Sequence, residues 1–160
     1  MRGCRFQLQD RSQVGFYFDE FVLPLTTATR LSGIDAPEVD DLLPLLPGGA
    51  LRLQKTRMAE ALSNIDAADL RRAAHPLAAV QLLVPIPSPS KLLLLAGNYS
   101  KHIEERGGRA AERQQTFPYV FMKPPLTTLT HPGAPIRIPA VSPDQIDWEL
   151  ELGVIIGRQA

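Results

Sequence analysis

The stretch Asp147-Trp-Glu-Leu-Glu-Leu-Gly-Val-Ile-Ile-Gly157 alternates acidic and apolar side chains over its first six residues. Successive side chains of a β-strand point to opposite faces, so the pattern predicts a strand whose three carboxylates share one face. Glu149 and Glu151 then have Cα atoms about 7 Å apart, and both carboxylates could reach one divalent cation. Hard cations prefer oxygen ligands, whereas clustered carboxylates without a cation repel one another. A strand with one solvated acidic face explains the same alternation, so both interpretations stay open.

Two apolar runs and a short helix are predicted ahead of this acidic strand. Residues 91–96 are typical of a strand buried on both faces, and residues 119–122 of another strand. Residues 97–99 predict a turn, which leads into a short helix over residues 100–105. Five prolines between positions 124 and 139 predict loops and edge strands there.

Residues 1–84 predict a small N-terminal α+β domain. Two strand-like runs flank Asp19-Glu20, a pattern that favours a hairpin. Residues 56–74 are rich in Ala, Leu and Arg and predict one helix, closed by a histidine and a proline. Four apolar residues of this helix are spaced three or four apart and are expected to face a core: Met58, Leu62, Ile65 and Ala68.

Proline at alternate positions makes residues 85–90 extended and stiff, and we interpret them as a linker. The predicted organisation is therefore an N-terminal domain over 1–84, the linker 85–90 and a second domain over 91–160. The whole chain has 15 prolines among 160 residues, which excludes a mostly helical bundle. The predicted fold class is α+β, mostly β.

Charge balance and cysteine content indicate which partners and which compartment to expect for this protein. Lys and Arg together number 17, as do Asp and Glu, and this balance argues against a nucleic-acid partner. Cys4 is the single cysteine, so an intrachain disulfide is excluded and a reducing compartment is favoured. The longest aliphatic run covers residues 92–95, far short of a membrane span. We expect a cytoplasmic protein without a membrane partner.

His102 and Glu105 are three residues apart in the predicted helix and therefore share one of its faces. A carboxylate beside a histidine orients the imidazole and raises its basicity, which suits a general base. Lys123 ends the predicted strand 119–122, where a lysine can stabilise an oxyanion or hold a carboxylate. A surface ion pair and a solvated lysine are the alternative interpretations of these residues.

Four segments, taken together in their order and spacing, form a more specific sequence signature than any of these residues alone. They are LAGNYSKHIEE (95–105), FPYVFMKP (117–124), HPGAPIRIP (131–139) and DWELELGVIIG (147–157). Together they resemble the fumarylacetoacetate hydrolase family in its bacterial form. The resemblance runs from about residue 91 to the last residue. It implies that the second domain is the first part of the family's mixed β-sandwich or β-roll catalytic domain.

The resemblance also implies a chemistry. It makes Glu149 and Glu151 ligands for Mg²⁺ or Mn²⁺, with Ca²⁺ as a further candidate. It makes His102 and Glu105 the pair that activates water, and it places Lys123 near the pocket. The loop that binds substrate would consist of Gly97, Asn98 and Tyr99. Family members act on 2-oxo and 1,3-diketo acids by carbon–carbon bond hydrolysis, decarboxylation, hydration or isomerisation, and we expect a homodimer at full length.

The family places a third metal ligand, an aspartate, and a further lysine beyond the Glu-x-Glu strand, whereas this sequence ends at Ala160. We therefore expect the N-terminal part of a longer enzyme, inactive by itself. Apolar side chains such as Leu150, Leu152 and Val154 are expected to be uncovered. The alternative is a catalytically inactive family remnant that serves as a binding or interaction module.

Overall fold

The computed structural model describes residues 1–97, 99–105, 107 and 119–158, and it leaves the side chain of His102 undescribed. The described residues form a mixed α/β structure, in agreement with the predicted mixture of strands and helices. The strands are β1 (Arg2–Leu8), β2 (Arg11–Tyr17), β3 (Phe21–Pro24), β4 (His75–Pro76), β5 (Gln81–Leu83), β6 (Leu92–Ala96) and β7 (Tyr119–Lys123). The α-helices are α1 (Leu25–Ser32), α2 (Arg52–Ser63), α3 (Ala67–Ala73), α4 (Ser100–Glu105) and α5 (Pro125–Thr128).

The chain divides into two compact units. The first unit contains residues 1–86 together with residues 130–160, and the second contains residues 87–129. The division into 1–84, 85–90 and 91–160 stays a prediction from the sequence. None of the helices in the described part of the chain combines the length and the apolar character needed to cross a lipid bilayer.

A five-stranded antiparallel sheet organises the first unit, in the order β4-β3-β2-β1-β5. The β1–β2 hairpin turns at Gln9-Asp10, where Gln9 adopts a φ of 54°. The predicted hairpin around Asp19-Glu20 is confirmed, since β2 and β3 pair with Phe16 opposite Leu23. Apolar residues of this sheet are buried in two separate clusters.

Helices cover one face of this sheet. Phe16 and Leu23 of the sheet and Met58 and Leu62 of α2 are fully buried in one apolar cluster. Burial of a side chain of this size contributes about 1.5–3 kcal/mol to the free energy of unfolding. Ile86, within the predicted linker, is buried in the same cluster.

A smaller cluster forms around Cys4, Phe6 and Val22. Its burial raises the pKa of the Cys4 thiol to about 12, because removal from water penalises the charged thiolate. Cys4 is thus a protonated core residue of low reactivity.

The single helix predicted over residues 56–74 is wrong, because the structure contains two helices there, α2 and α3. The break follows from Asp66, whose side chain caps α3 by accepting a hydrogen bond of 2.8 Å from the Ala68 backbone N–H. Ala68 is consequently exposed, and Leu70 takes its place in the core. Helix α1 was not predicted; it begins directly after Pro24 and buries Leu25 and Ala28.

In the second unit, β6 and β7 form an antiparallel hairpin, so the two strands predicted there are confirmed. The prediction that β6 is buried on both faces is wrong, since Leu93 and Leu95 are exposed. A strand is covered on both faces only when other layers pack against it, and a two-stranded hairpin by itself supplies none. The opposing residues Val120 and Met122 of β7 are exposed for the same reason.

The strand predicted over residues 147–156 is also corrected, because residues 145–157 contain neither helix nor strand. Strand structure requires a hydrogen-bonded neighbour, and the described sheets provide none for this segment. The expected exposure of its apolar residues is confirmed: Leu150 is 91% exposed, and Leu152 and Val154 are similarly open to solvent.

Gly15 provides a test of how closely β2 and β3 approach each other. A Cβ atom at this position would lie 2.3 Å from the Leu23 carbonyl oxygen and 3.0 Å from the Pro24 Cα, both backbone atoms. Gly15→Ala therefore has to displace β3, and we expect the free energy of unfolding to fall by about 2 kcal/mol in urea titrations.

Gly153→Ala is the matched control, because no atom lies within 4 Å of a Cβ placed there. We expect it to leave the unfolding midpoint within experimental error of the wild type. Equal stability of the two variants would contradict the close approach of β2 and β3.

Candidate functional site

A short turn connects β6 to α4 and carries the predicted substrate-binding loop. Gly97 follows the last residue of β6 and adopts a φ of 60°, a left-handed conformation that glycine accepts without steric strain. Tyr99 comes next among the described residues, is partly exposed, and accepts a backbone hydrogen bond of 3.2 Å from Ile103 at its carbonyl oxygen. Asn98, the third predicted loop residue, lies outside the described residues.

Helix α4 carries the predicted general-base pair. His102 and Glu105 lie on the same helix with a separation of three residues, which places them on one face. Glu105 is exposed at the end of the helix. The prediction of a short helix at this point is thereby confirmed, whereas the contact between the imidazole and the carboxylate stays a prediction because the His102 side chain is not described.

Lys123 lies at the other end of the β6–β7 hairpin from these residues. Lys123 pairs with Leu92, the first residue of β6, whereas Ala96, the residue before the loop, pairs with Tyr119. Four residue steps separate the two ends, a distance of about 13 Å along the strands. Within the second unit, the structure thus groups Gly97, Tyr99 and helix α4, and places the backbone of Lys123 apart from them.

The two predicted metal ligands lie in the first unit. Glu149 and Glu151 are exposed in the segment without helix or strand, and one residue separates them. Their Cα atoms cannot be more than about 7 Å apart, because a chain extends at most about 3.6 Å per residue. The third acidic residue, Asp147, accepts a hydrogen bond of 2.8 Å from the Trp148 backbone N–H.

These carboxylates match the oxygen donors that Mg²⁺ and Mn²⁺ prefer. Among the described residues, however, no group of three His, Cys, Asp or Glu side chains is arranged to hold a metal ion. Glu149 and Glu151 therefore fit a divalent cation in the chemistry of their donors, with the remaining coordination positions supplied by water or by other ligands.

His131 has a structural contact that sequence reasoning does not specify. Its Nδ1 atom accepts a hydrogen bond of 3.2 Å from the Val84 backbone N–H, at the end of the N-terminal residues 1–84. The contact spans 47 residues of sequence. A local sequence pattern carries no signal for such a long-range hydrogen bond.

The sequence of the segment that carries these residues is similar to known proteins. The family described as "Fumarylacetoacetate (FAA) hydrolase C-terminal" matches residues 91–160, the segment that contains all eight candidate site residues. The segment 91–160 therefore belongs to the fumarylacetoacetate hydrolase family. The resemblance inferred from the four sequence segments is thereby confirmed.

Curated relatives match about half of this chain. Protein Rv2993c of Mycobacterium tuberculosis is 42% identical over 83 residues, which cover 52% of this chain and 29% of that protein. Oxaloacetate tautomerase YisK of Bacillus subtilis is 38% identical over 85 residues, 52% of this chain and 27% of the relative. The mitochondrial oxaloacetate tautomerase fahd2 of Xenopus laevis is 34% identical over 80 residues, 50% and 23% respectively. The match spans less than a third of each relative's length.

Gly97 offers a test of the loop geometry. A Cβ atom strains a residue held at a φ of 60°, so we expect Gly97→Ala to destabilise the turn by about 1–2 kcal/mol. Amide hydrogen exchange should then become faster in α4, and mass spectrometry of the peptide covering residues 99–105 measures this change.

Gly97→Asn is the control substitution, because asparagine adopts the left-handed conformation more readily than alanine does. We expect its exchange rates to lie between those of the wild type and Gly97→Ala. Identical exchange in all three proteins would show that the turn does not require the left-handed conformation.

Proposed function

We propose that the full-length protein is an enzyme that acts on 2-oxo acids, with the keto–enol interconversion of oxaloacetate as its reaction. The supporting observation is the family match over residues 91–160, combined with relatives named oxaloacetate tautomerases that are 38% and 34% identical. The resemblance found in the sequence allowed four reactions: hydrolysis, decarboxylation, hydration and isomerisation. The proposal selects isomerisation.

Tautomerisation moves a proton between the carbon next to a carbonyl group and the carbonyl oxygen. In the proposed site His102 takes or returns this proton, and Glu105 orients the imidazole and stabilises its charged form. Their positions one turn apart on α4 support this pairing. Gly97 and Tyr99, which directly precede α4, line the substrate side of the same turn in the proposal.

Glu149 and Glu151 hold a divalent cation, Mg²⁺ or Mn²⁺, in this proposal. Such a cation, when bound, acts as a Lewis acid toward the 2-oxo-carboxylate end of the substrate. The two carboxylates neutralise most of its charge and set its position, and their alternation with apolar residues supports this role. Lys123 lies at the opposite end of the hairpin from α4. In this proposal it therefore binds a carboxylate and takes no part in the proton transfer.

The same residues can also support hydrolysis of 1,3-diketo acids, in which His102 deprotonates a water molecule. A different class of function, an interaction module without catalysis, is favoured by one observation, the exposure of Trp148, Leu150 and Leu152. Large apolar side chains exposed close together in the sequence are candidates for a surface that becomes covered by protein. This second candidate predicts a stable complex in light scattering and no turnover of oxaloacetate or acylpyruvates.

The catalytic prediction concerns the full-length protein. The loss of enol-oxaloacetate absorbance, measured in ultraviolet light with Mg²⁺ or Mn²⁺ present, reports tautomerisation. We expect His102→Asn to lower kcat by about 100-fold or more, because general acid–base catalysis contributes 10²–10⁴-fold. Glu105→Gln should lower it less, since the imidazole stays in place.

Glu104→Gln is the matched control, because Glu104 is the neighbouring exposed carboxylate on the same helix and projects from a different face. It should retain wild-type kcat. Acylpyruvate hydrolysis is assayed in parallel. Hydrolysis without tautomerisation would replace the proposed reaction, and unchanged activity in His102→Asn would remove His102 from the mechanism.

The metal prediction can be tested on this chain directly. Titration with Mn²⁺, followed by electron paramagnetic resonance of the free ion, measures the dissociation constant. We expect the double variant Glu149→Gln/Glu151→Gln to bind Mn²⁺ at least about tenfold more weakly, because it loses both charged oxygen donors.

The control is Asp144→Asn, which removes an exposed carboxylate a few residues away. It should leave the dissociation constant unchanged. Equal Mn²⁺ binding by the double variant and the wild type would show that Glu149 and Glu151 are not the ligands.

A further inference from the structure

A second candidate site lies in the N-terminal residues, outside the family match over residues 91–160. A cavity of about 450 Å³ is formed between the segment that follows α1 and the first two turns of α2. Gly33 ends α1 in the left-handed conformation and turns the chain so that Ile34 and Asp35 form one wall. Leu53 and Arg57, four residues apart on α2, form the facing wall.

Leu53 gives the cavity an exposed apolar side chain. Residues 1–86 are all described, and Leu53 is the most exposed large apolar side chain among them, with 57% of its surface accessible. Met58 and Leu62 of the same helix are fully buried. The exposed Leu53 side chain and the half-buried Ile34 can contact the hydrocarbon part of a small ligand.

The charged part of the cavity lining consists of one acid, Asp35 in the segment after α1, and one base, Arg57 in α2, and both residues are exposed. Asp35 and Arg57 make no ion pair with each other or with any other described residue. Within residues 1–86, Arg71 pairs with Glu20, whereas Arg30 and Arg52, like Arg57, make no ion pair with a described residue. The two opposite charges are therefore both available, and they are more than 4 Å apart.

We propose that this cavity binds an α-amino acid with an aliphatic side chain. Arg57 binds the carboxylate, for which the guanidinium group offers paired N–H donors, and Asp35 binds the ammonium group. Leu53 and Ile34 contact the aliphatic side chain. Asp35 repels the second carboxylate of a dicarboxylate, and Arg57 repels an amine that has no carboxylate. The two charges together therefore favour a zwitterion.

Isothermal titration calorimetry of the whole chain with three probes that share the 3-methylbutyl chain tests this site. The probes are L-leucine, 4-methylpentanoate, which lacks the ammonium group, and isoamylamine, which lacks the carboxylate. We expect L-leucine to bind at least about tenfold more tightly than either of the others. Nuclear magnetic resonance of the Leu53 and Ile34 methyl groups should show shifts that saturate with L-leucine.

Arg57→Gln and Asp35→Asn should each weaken L-leucine binding at least about tenfold. Arg52→Gln is the matched control, because Arg52 is an exposed arginine on the opposite face of α2 and should leave binding unchanged. Circular dichroism confirms that each variant is folded. The proposal is overturned if L-leucine does not bind, if all three probes bind equally, or if Arg57→Gln or Asp35→Asn retains wild-type affinity.

Discussion

The apolar cluster shared by β2, β3, α1 and α2 is the interaction on which the N-terminal structure depends. Phe16 and Leu23 lie opposite each other on neighbouring strands, and Met58 and Leu62 of α2 are buried in the same cluster, all four without solvent exposure. A hairpin of two short strands is marginal in water, so this apolar contact stabilises both the sheet and the helix. Gly15 matters for the same reason, since its missing side chain lets β3 lie close enough to complete the layer.

The exposed apolar residues of segment 91–160, which matches the family, have the same physical basis: an apolar strand is buried only where another layer covers it. The β6–β7 hairpin has the hydrogen bonds of a sheet, yet no described layer removes Leu93 or Met122 from water. Residues 145–157 have the sequence pattern of a strand, and the sheets formed by the described residues do not include them. Apolar alternation specifies which face a strand will bury, whereas formation of the strand requires the neighbouring chain to be present. The family relationship therefore rests on the sequence match of residues 91–160, and the local structure adds the positions of α4 and the hairpin.

The sequence predicted those elements whose signals are local. The Asp19-Glu20 hairpin, β6, β7 and α4 follow from short-range alternation and turn residues, and the structure contains each of them. The break between α2 and α3 was missed, because Asp66 competes with helix continuation by capping the next helix, and Ala-rich flanks conceal this choice. Helix α1 was missed because residues 21–25 suggest a strand that continues through Leu25.

The candidate site was predictable to a similar degree. The spacing of His102 and Glu105 gives one helical face from local geometry alone, and the structure keeps that spacing within α4. Lys123 is different, because its distance from the loop depends on the register of β6 with β7, which pairs it with Leu92. Register is a property of two strands together, so the motif that contains Lys123 does not reveal which end of the hairpin it occupies.

The buried thiol of Cys4 has a practical consequence for spectroscopy. Since this thiol is protonated and shielded within the sheet, maleimide reagents at neutral pH will react far faster with a cysteine introduced at the surface. A single fluorophore or spin label can therefore be attached to α4 or to the 145–157 segment without replacing the native residue. The chain thus offers a ready background for site-selective labelling, in which changes around Glu149 can be followed as cations or substrates are added.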